Sequence, residues 1–355
     1  MIINLGCGCR LTCARSRTRA GQIFWLVAAF SFLQPILFSQ QTVILVGAGS
    51  SVPAPLYAKW AEQYNQRDPN LQIRYVALGT SEGVAQISHG SGDFAAGEVP
   101  FSGLERSTGN LILLPSVLIA IVPIYNLPDM QGELHLSGEV LADIFLGRVK
   151  NWNAPSIAKL NPHLPLPDLP IKVIQRPAGK GSNYIFSEFL SKSSIRFKSE
   201  IGIGPSPQWP VGESAERSLD MAQKVKSESG SIGYVEVQYA IQQNIPYAAV
   251  LNGAGHFIKA SNKSITAACT GAESPGWNRF SASLINAPGA DSYPITSFTW
   301  LYLKPGFANP ARAATLSNFL TWVFTEGQHI ADREGYSELP PQLLEKVKGK
   351  VNSLH

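Results

Sequence analysis

Beyond residue 13 this 355-residue chain has one cysteine, Cys269. A single thiol closes no internal disulfide, so the fold must rest on its core. Cys7, Cys9 and Cys13 all precede the first apolar run, whereas a lipid-anchor cysteine would follow it. They also have no histidine or fourth cysteine nearby to complete a metal site. The six histidines are His89, His135, His163, His256, His329 and His355. None lies in the turns singled out below, so those turns hold neither a serine-hydrolase base nor a metal cluster. Charge is sparse as well, at 15% of residues, and the stretch 1–39 contains no acid. The 29 Lys and Arg, less Arg10, Arg15, Arg17 and Arg19 of that stretch, leave 25 bases against 25 acids. The body is therefore neutral, and the basic footprint of a nucleic-acid binder is missing. Hydrophobic residues make up 45% of the chain. That fits a well-packed protein long enough for two domains and argues against long disorder.

What is present begins with a leader. An arginine-bearing stretch precedes the apolar run 23–38, which Gln34-Pro35 interrupts and Ser39-Gln40-Gln41 ends. That order is the order of a secretory signal, and the run is short for a spanning helix. We expect residues 1–40 to be a signal peptide and the mature protein to be periplasmic, with an uncleaved N-terminal anchor as the alternative.

The body alternates strand and helix. A β-branched run at 42–46 reads as a strand. Pro53 and Pro55 open a helix, as proline suits a first turn, and Leu56, Tyr57, Trp60, Ala61 and Tyr64 recur on one face. A strand at 73–77 leads to a second helix starting at Ser81-Glu82-Gly83. The apolar stretch 111–123, broken by Pro115, reads as a strand crossing between domains. A helix is expected at 136–146 with Leu141, Ile144 and Phe145 inward. A strand at 171–174, a glycine-rich turn at 175–183 and a helix at 184–190 follow. The pattern continues with a strand at 230–235 and a helix at 237–244. The strand 294–303 returns to the first domain, and the helix 311–326 turns Leu316, Phe319, Leu320 and Val323 inward. Trp60, Tyr64 and Trp322 read as core. The fold class is α/β, with its turns at the carboxyl ends of strands.

Within residues 47–102 lie three small-residue turns: Gly47-Ala48-Gly49-Ser50-Ser51, Leu78-Gly79-Thr80-Ser81-Glu82-Gly83, and Ala95-Ala96-Gly97-Glu98. The first two each precede a helix, so backbone N–H groups and hydroxyls converge, which is how a metal-free protein holds a small anion. Gly179-Lys180-Gly181-Ser182 superficially matches the end of a nucleotide-binding loop. The upstream glycine is missing, with Ile174-Gln175 in its place, so nucleotide binding is disfavoured.

Several stretches together resemble the phosphate-binding proteins of bacterial phosphate ABC transporters, PstS-type, from about residue 46 to about residue 347. They are Gly47-Ala48-Gly49 through Trp60, Gly83-Val84 through Ile87, Ile144-Phe145-Leu146-Gly147 through Trp152, Ile157 through Pro162, Gly230 through Glu236, and Tyr293 through Ser297. The resemblance implies two lobes joined by hinge strands, the anion buried between them, and no catalysis or cofactor. We expect lobe 1 at 41–117 and 252–355, and lobe 2 at 118–251.

Carried across residue by residue, the resemblance implies that Ser51 and Val52 donate from the first turn, and Thr80 with Ser81 from the second. It gives Arg176 the role of forking onto the anion, and Gly181 and Ser182 that of donating from the start of a helix. It departs from the family at three positions. Glu98 stands where an aspartate accepts the proton of bound phosphate, Lys180 replaces a serine, and Ala178 replaces the acid that pairs with the arginine. The last two changes make the site more positive by about two formal charges. The implied function is capture of inorganic phosphate for the membrane permease of a phosphate ABC transporter, by a monomer. The alternatives are another tetrahedral oxyanion (sulfate, arsenate or molybdate), a sensor, and a phosphoester hydrolase.

Overall fold

The computed structural model describes residues 42–100, 111–272, 280–306 and 309–354. The leader 1–40, with Cys7, Cys9 and Cys13, lies outside the described residues. The first half of the chain opens β1 (Val43–Gly49), α1 (Ala54–Arg67), β2 (Leu71–Ala77), α2 (Thr80–Ser88) and β3 (Phe94–Gly97). Next come β4 (Ile112–Tyr125), β5 (His135–Leu136), α3 (Gly138–Phe145), α4 (Pro155–Ala158), β6 (Lys172–Gln175), α5 (Gly181–Ser193) and α6 (Ile195–Glu200). They are followed by β7 (Glu213–Ser214), α7 (Ser218–Ser227), β8 (Ser231–Glu236), α8 (Val237–Gln242), β9 (Ala249–Leu251) and β10 (Phe257–Ile258). The chain closes with α9 (Asn262–Gly271), β11 (Thr296–Leu303), α10 (Pro310–Val323), α11 (Glu326–Arg333) and α12 (Pro341–Asn352).

An eight-stranded sheet runs β2-β1-β3-β11-β4-β8-β6-β7. Strands β2, β1 and β3 are parallel, as are β8, β6 and β7. Between them β4 is antiparallel to both neighbours. Its residues up to Ala120 pair with β11, and Ile121 to Tyr125 pair with β8. One buried strand therefore joins two α/β halves, and it changes partner at Ala120–Ile121. The strand β11 pairs with β3 and with the first part of β4, so the late strand does return to the first half.

Pro115 does not break β4. Thr299 faces Val117 but Trp300 faces Pro115, so Ser116 is an extra residue in a bulge, the place where an interior strand tolerates proline. The bulge turns the Ser116 hydroxyl onto the Thr299 carbonyl at 2.9 Å. Other boundaries also move. The expected helix at 136–146 starts at Gly138, because Ser137 Oγ accepts the Val140 N–H at 3.2 Å and so caps it. The expected helix at 311–326 ends at Val323, and Glu326 opens a new one. The third small-residue turn is not a turn. Residues Phe94–Gly97 form β3, all four buried, and only Glu98 lies beyond its end. Small side chains there let β3 sit between β1 and β11 with α2 packed on it.

Leu56, Tyr57, Trp60, Ala61 and Tyr64 are all buried, as are Leu316, Phe319, Leu320, Trp322 and Val323. Tyr57 stacks on Trp60 at 5.0 Å, and the indole N–H of Trp60 donates to the Gly327 carbonyl at 2.7 Å. Each such large apolar side chain contributes about 1.5–3 kcal/mol when sealed from water. This packing fixes the ends of β1, β2 and β3, from which the first half of the site projects. No helix among the described residues is long and apolar enough to cross a membrane.

Candidate anion-binding site

The carboxyl ends of β1, β2, β3, β6 and β8 converge. This is where open α/β sheets present their ligand groups. After β1, Ser50 to Pro53 lead into α1, and after β2, Gly79 leads into α2. Gly79 has φ +116°, a conformation glycine adopts without strain, and it lets the chain enter the helix at Thr80. Beyond β6 the glycine-rich turn leads to α5. That helix starts at Gly181, three residues before the expected start, with no side-chain capping bond. Its first residues, Gly181, Ser182 and Asn183, are buried. Helix N-terminal amides have no partner within their own helix, so this start is a buried cluster of donors.

Arg176, just after β6, is buried to within 1%. Its Nη1 donates to Ser218 Oγ at 2.8 Å, and its Nη2 to the Glu216 carbonyl at 3.0 Å and to Ser51 Oγ at 3.3 Å. Its Nε has no acceptor, and Ser182 Oγ is likewise buried without a partner. The bond to Ser51 joins the two halves of the molecule, as does the bond from the Ser81 N–H to the Gly179 carbonyl at 3.3 Å.

Glu98 is fully buried opposite these donors. It accepts from the Thr80 hydroxyl at 3.2 Å and the Thr299 hydroxyl at 3.1 Å. Burial pushes its carboxyl up to about 8; the Ser50, Thr299 and Thr80 hydroxyls oppose that shift, and the charge of Glu236 adds to it. Gly181 lies directly against it, since a Cβ there would collide with Glu98 Oε2. An acid whose proton affinity rises on folding binds more protons folded than unfolded. The ligand-free protein should therefore lose stability as pH climbs from about 4.5 to about 8, then level off. Thermal melts without phosphate should show this slope in the wild type and a shallower one in Glu98→Gln. An identical slope in both would remove Glu98 as its source.

The structure thus brings together Ser51, Thr80, Ser81, Glu98, Arg176, Gly181 and Ser182. Val52 is beside them, but its N–H donates to Ser50 Oγ at 3.1 Å and its carbonyl accepts the Tyr336 hydroxyl at 2.8 Å. The Lys180 ammonium, on a side chain that is itself largely buried, turns to the mostly exposed Glu216 carboxylate. Glu236, Ser218, Thr299, Ser50 and the Glu216 carbonyl complete the site without having been expected. Of these, Glu236 left a signal, an acid at the end of the apolar run Ile232-Gly233-Tyr234-Val235. Buried donors facing a carboxyl that can carry or accept a proton suit a small, protonated oxyanion.

Two α/β halves sharing one strand, with a cluster of buried donors between them, define a class of two-lobed binding protein. In keeping with that class, a family model described as a PBP superfamily domain matches residues 38–326. The chain is 35% identical over 321 residues to the phosphate-binding protein PstS of Xylella fastidiosa, covering 90% of this chain and 88% of that one. It is 35% identical over 326 residues to the phosphate-binding protein PstS of Pasteurella multocida, covering 90% and 94%. The fold is similar to the crystal structure of a phosphate-binding protein from Stenotrophomonas maltophilia, with TM-score 0.66 and 16% identity over 86% of this chain and 93% of that one. The chain belongs to the PstS-type substrate-binding proteins of the PBP superfamily. Its fold is accordingly the two-lobed α/β fold of periplasmic binding proteins, with hinge strands between the lobes.

Proposed function

We propose that this protein captures inorganic phosphate between its lobes and hands it to the membrane permease of an ABC-type import system. One observation carries the reading: Arg176 Nε and Ser182 Oγ are buried donors without protein acceptors, beside the uncapped start of α5. The names of the relatives described above support phosphate as the anion. On this reading Arg176 forks onto the phosphate, and Gly181 and Ser182 donate from the head of α5. Ser51 and Val52 close from the first turn, and Thr80 and Ser81 from the second. Glu98 shares the phosphate proton, and Lys180 is paired with Glu216 beside them. Lobe 1 comprises 41–117 and 252–355, and lobe 2 comprises 118–251. The protein works outside the cytoplasm as a monomer, exported by the segment 1–40. On this reading it binds and releases its ligand unchanged, as a substrate-binding protein does. Competition calorimetry with phosphate, arsenate, sulfate and molybdate at two pH values tests the reading. Absence of phosphate binding, or turnover of a phosphomonoester, would overturn it.

Glu98 sets the selectivity. Ionised, it accepts the proton of hydrogen phosphate and repels the bare oxygens of sulfate; protonated, it can donate to sulfate instead. The phosphate-to-sulfate affinity ratio should therefore rise as pH passes about 8, the value to which burial moves this carboxyl. Glu98→Gln, whose amide donates at every pH, should lower the ratio and flatten its pH dependence. Lys180→Ser, measured alongside, should change affinity less than Arg176→Ala does, because the Lys180 ammonium is already paired with Glu216. A ratio unmoved by Glu98→Gln would place selectivity elsewhere.

A further inference from the structure

The turn between β6 and α5 carries two groups of donors, Arg176 at its start and Gly181 with Ser182 at its end. Pro177 to Lys180 separate them, and Gly179 takes φ +83°. A turn of this kind does not by itself fix how far apart its ends stand. One side chain closes it. Asn183, in the first turn of α5, is fully buried. Its Nδ2 donates to the Pro177 carbonyl at 2.7 Å, to the Pro205 carbonyl at 3.1 Å and, at the longer 3.4 Å, to the Arg176 carbonyl. Its Oδ1 accepts from the Tyr234 hydroxyl, and that same hydroxyl accepts the Arg176 N–H at 3.2 Å. A carboxamide is the group that fits, since the carbonyls need a donor and the hydroxyl needs an acceptor.

Packed structure stands behind these bonds. Tyr234 belongs to β8, and its ring stacks on Phe186 at 4.3 Å and meets Phe145 edge-on at 5.6 Å. Pro205 lies in the segment after α6, and its carbonyl also takes the Gly179 N–H at 2.9 Å and the Lys180 N–H at 3.2 Å. Ser187, one turn further along α5, fastens that segment again through the Gly204 N–H and carbonyl, both at 3.1 Å.

We propose that Asn183 is a positioning residue for the anion: its amide sets the spacing between the Arg176 fork and the donors at the head of α5. The proposal rests on the phosphate reading above. Both polar atoms of Asn183 are engaged by the protein, so it acts on the ligand through its neighbours. Without the amide, the Pro177 carbonyl and the Tyr234 hydroxyl lose a buried partner, and the turn relaxes to find others. An anion must then order the donors that the wild type holds ready, and that ordering is taken out of the affinity.

Phosphate calorimetry and amide hydrogen exchange on the full chain test this. Asn183→Ala should bind phosphate roughly tenfold or more weakly. Its exchange should quicken across residues 176–183 and stay unchanged in the strands of the sheet. Asn183→Asp should bind still more weakly at about pH 8.5, where an ionised carboxylate would face two carbonyls. It should recover toward wild type at about pH 5.5, because a protonated carboxyl can donate to one of them. Burial raises the Tyr234 phenol, which keeps its proton throughout. Glu98, Arg176, Lys180 and phosphate itself are common to both proteins, so the ratio of variant to wild-type affinity reads the new carboxyl. Wild-type affinity in a folded Asn183→Ala, exchange that quickens throughout the chain, or an Asn183→Asp ratio that does not move with pH overturns the proposal alone. No phosphate binding to the wild type overturns the phosphate reading and this proposal with it. Should Asn183→Ala not fold, Tyr234→Phe decides, since it keeps the ring and removes the hydroxyl that Asn183 and Arg176 share. Phosphate binding weakened several-fold supports the proposal, and unchanged affinity overturns it.

Discussion

Arg176→Ala is expected to remove most phosphate binding, by about 3 kcal/mol or more, which is upwards of a hundredfold in Kd. The reason is burial. Arg176 is sealed to within 1% of its surface, and its guanidinium is held in place by Ser218, Ser51 and the Glu216 carbonyl. Its fork is therefore pre-oriented, and an anion meeting it loses little freedom. Alanine leaves a phosphate dianion facing two buried carboxyl groups with no cation among them. Arg176→Lys should recover only part of the loss, because an ammonium cannot present two parallel N–H bonds. Titration calorimetry on variants with wild-type circular dichroism checks this. Near-normal affinity in a folded Arg176→Ala would put the residue outside the site.

Gly181→Val is expected to cost nearly as much by a steric route. A Cβ at this position would strike Glu98 Oε2 and come within 2.7 Å of Thr80 Oγ1. Neither group can retreat, since both are fully buried and Glu98 is bound by Thr80 and Thr299. Overpacking of this kind costs about 1–3 kcal/mol, up to roughly a 150-fold loss of affinity. The clash exists only while the halves are together. Small-angle scattering should therefore show Gly181→Val remaining extended at phosphate concentrations that compact the wild type. Wild-type compaction and affinity would mean that this approach is not part of the bound form.

Periodicity made the core legible. The spacing of Leu56, Tyr57, Trp60, Ala61 and Tyr64 can bury one helix face and nothing else, and those residues are buried. The family resemblance pointed to Arg176, Gly181 and Ser182, and all three are buried next to one another at the head of α5. What stayed hidden depends on contacts far apart in sequence. Thr299 looks like any small residue in an apolar strand until pairing with β3 and β4 sets it over Glu98. The direction of Lys180 is decided by Glu216, which the turn itself does not contain. Residues 95–97 looked like a turn because they are small. They are small because neighbouring strands and a helix crowd them from all sides.

Strand β4 belongs to neither half alone. From Leu113 to Tyr125 every residue is buried, one part roofed by β11 and the other by β8. Neither half can therefore be excised as a module. A chain severed within Ile112–Tyr125 would split a strand that is buried from Leu113 onward and leave unpaired strand edges, and such edges recruit other strands. For the same reason, new termini or an inserted reporter belong in the polar loops, away from the one strand that makes the two halves a single folding unit.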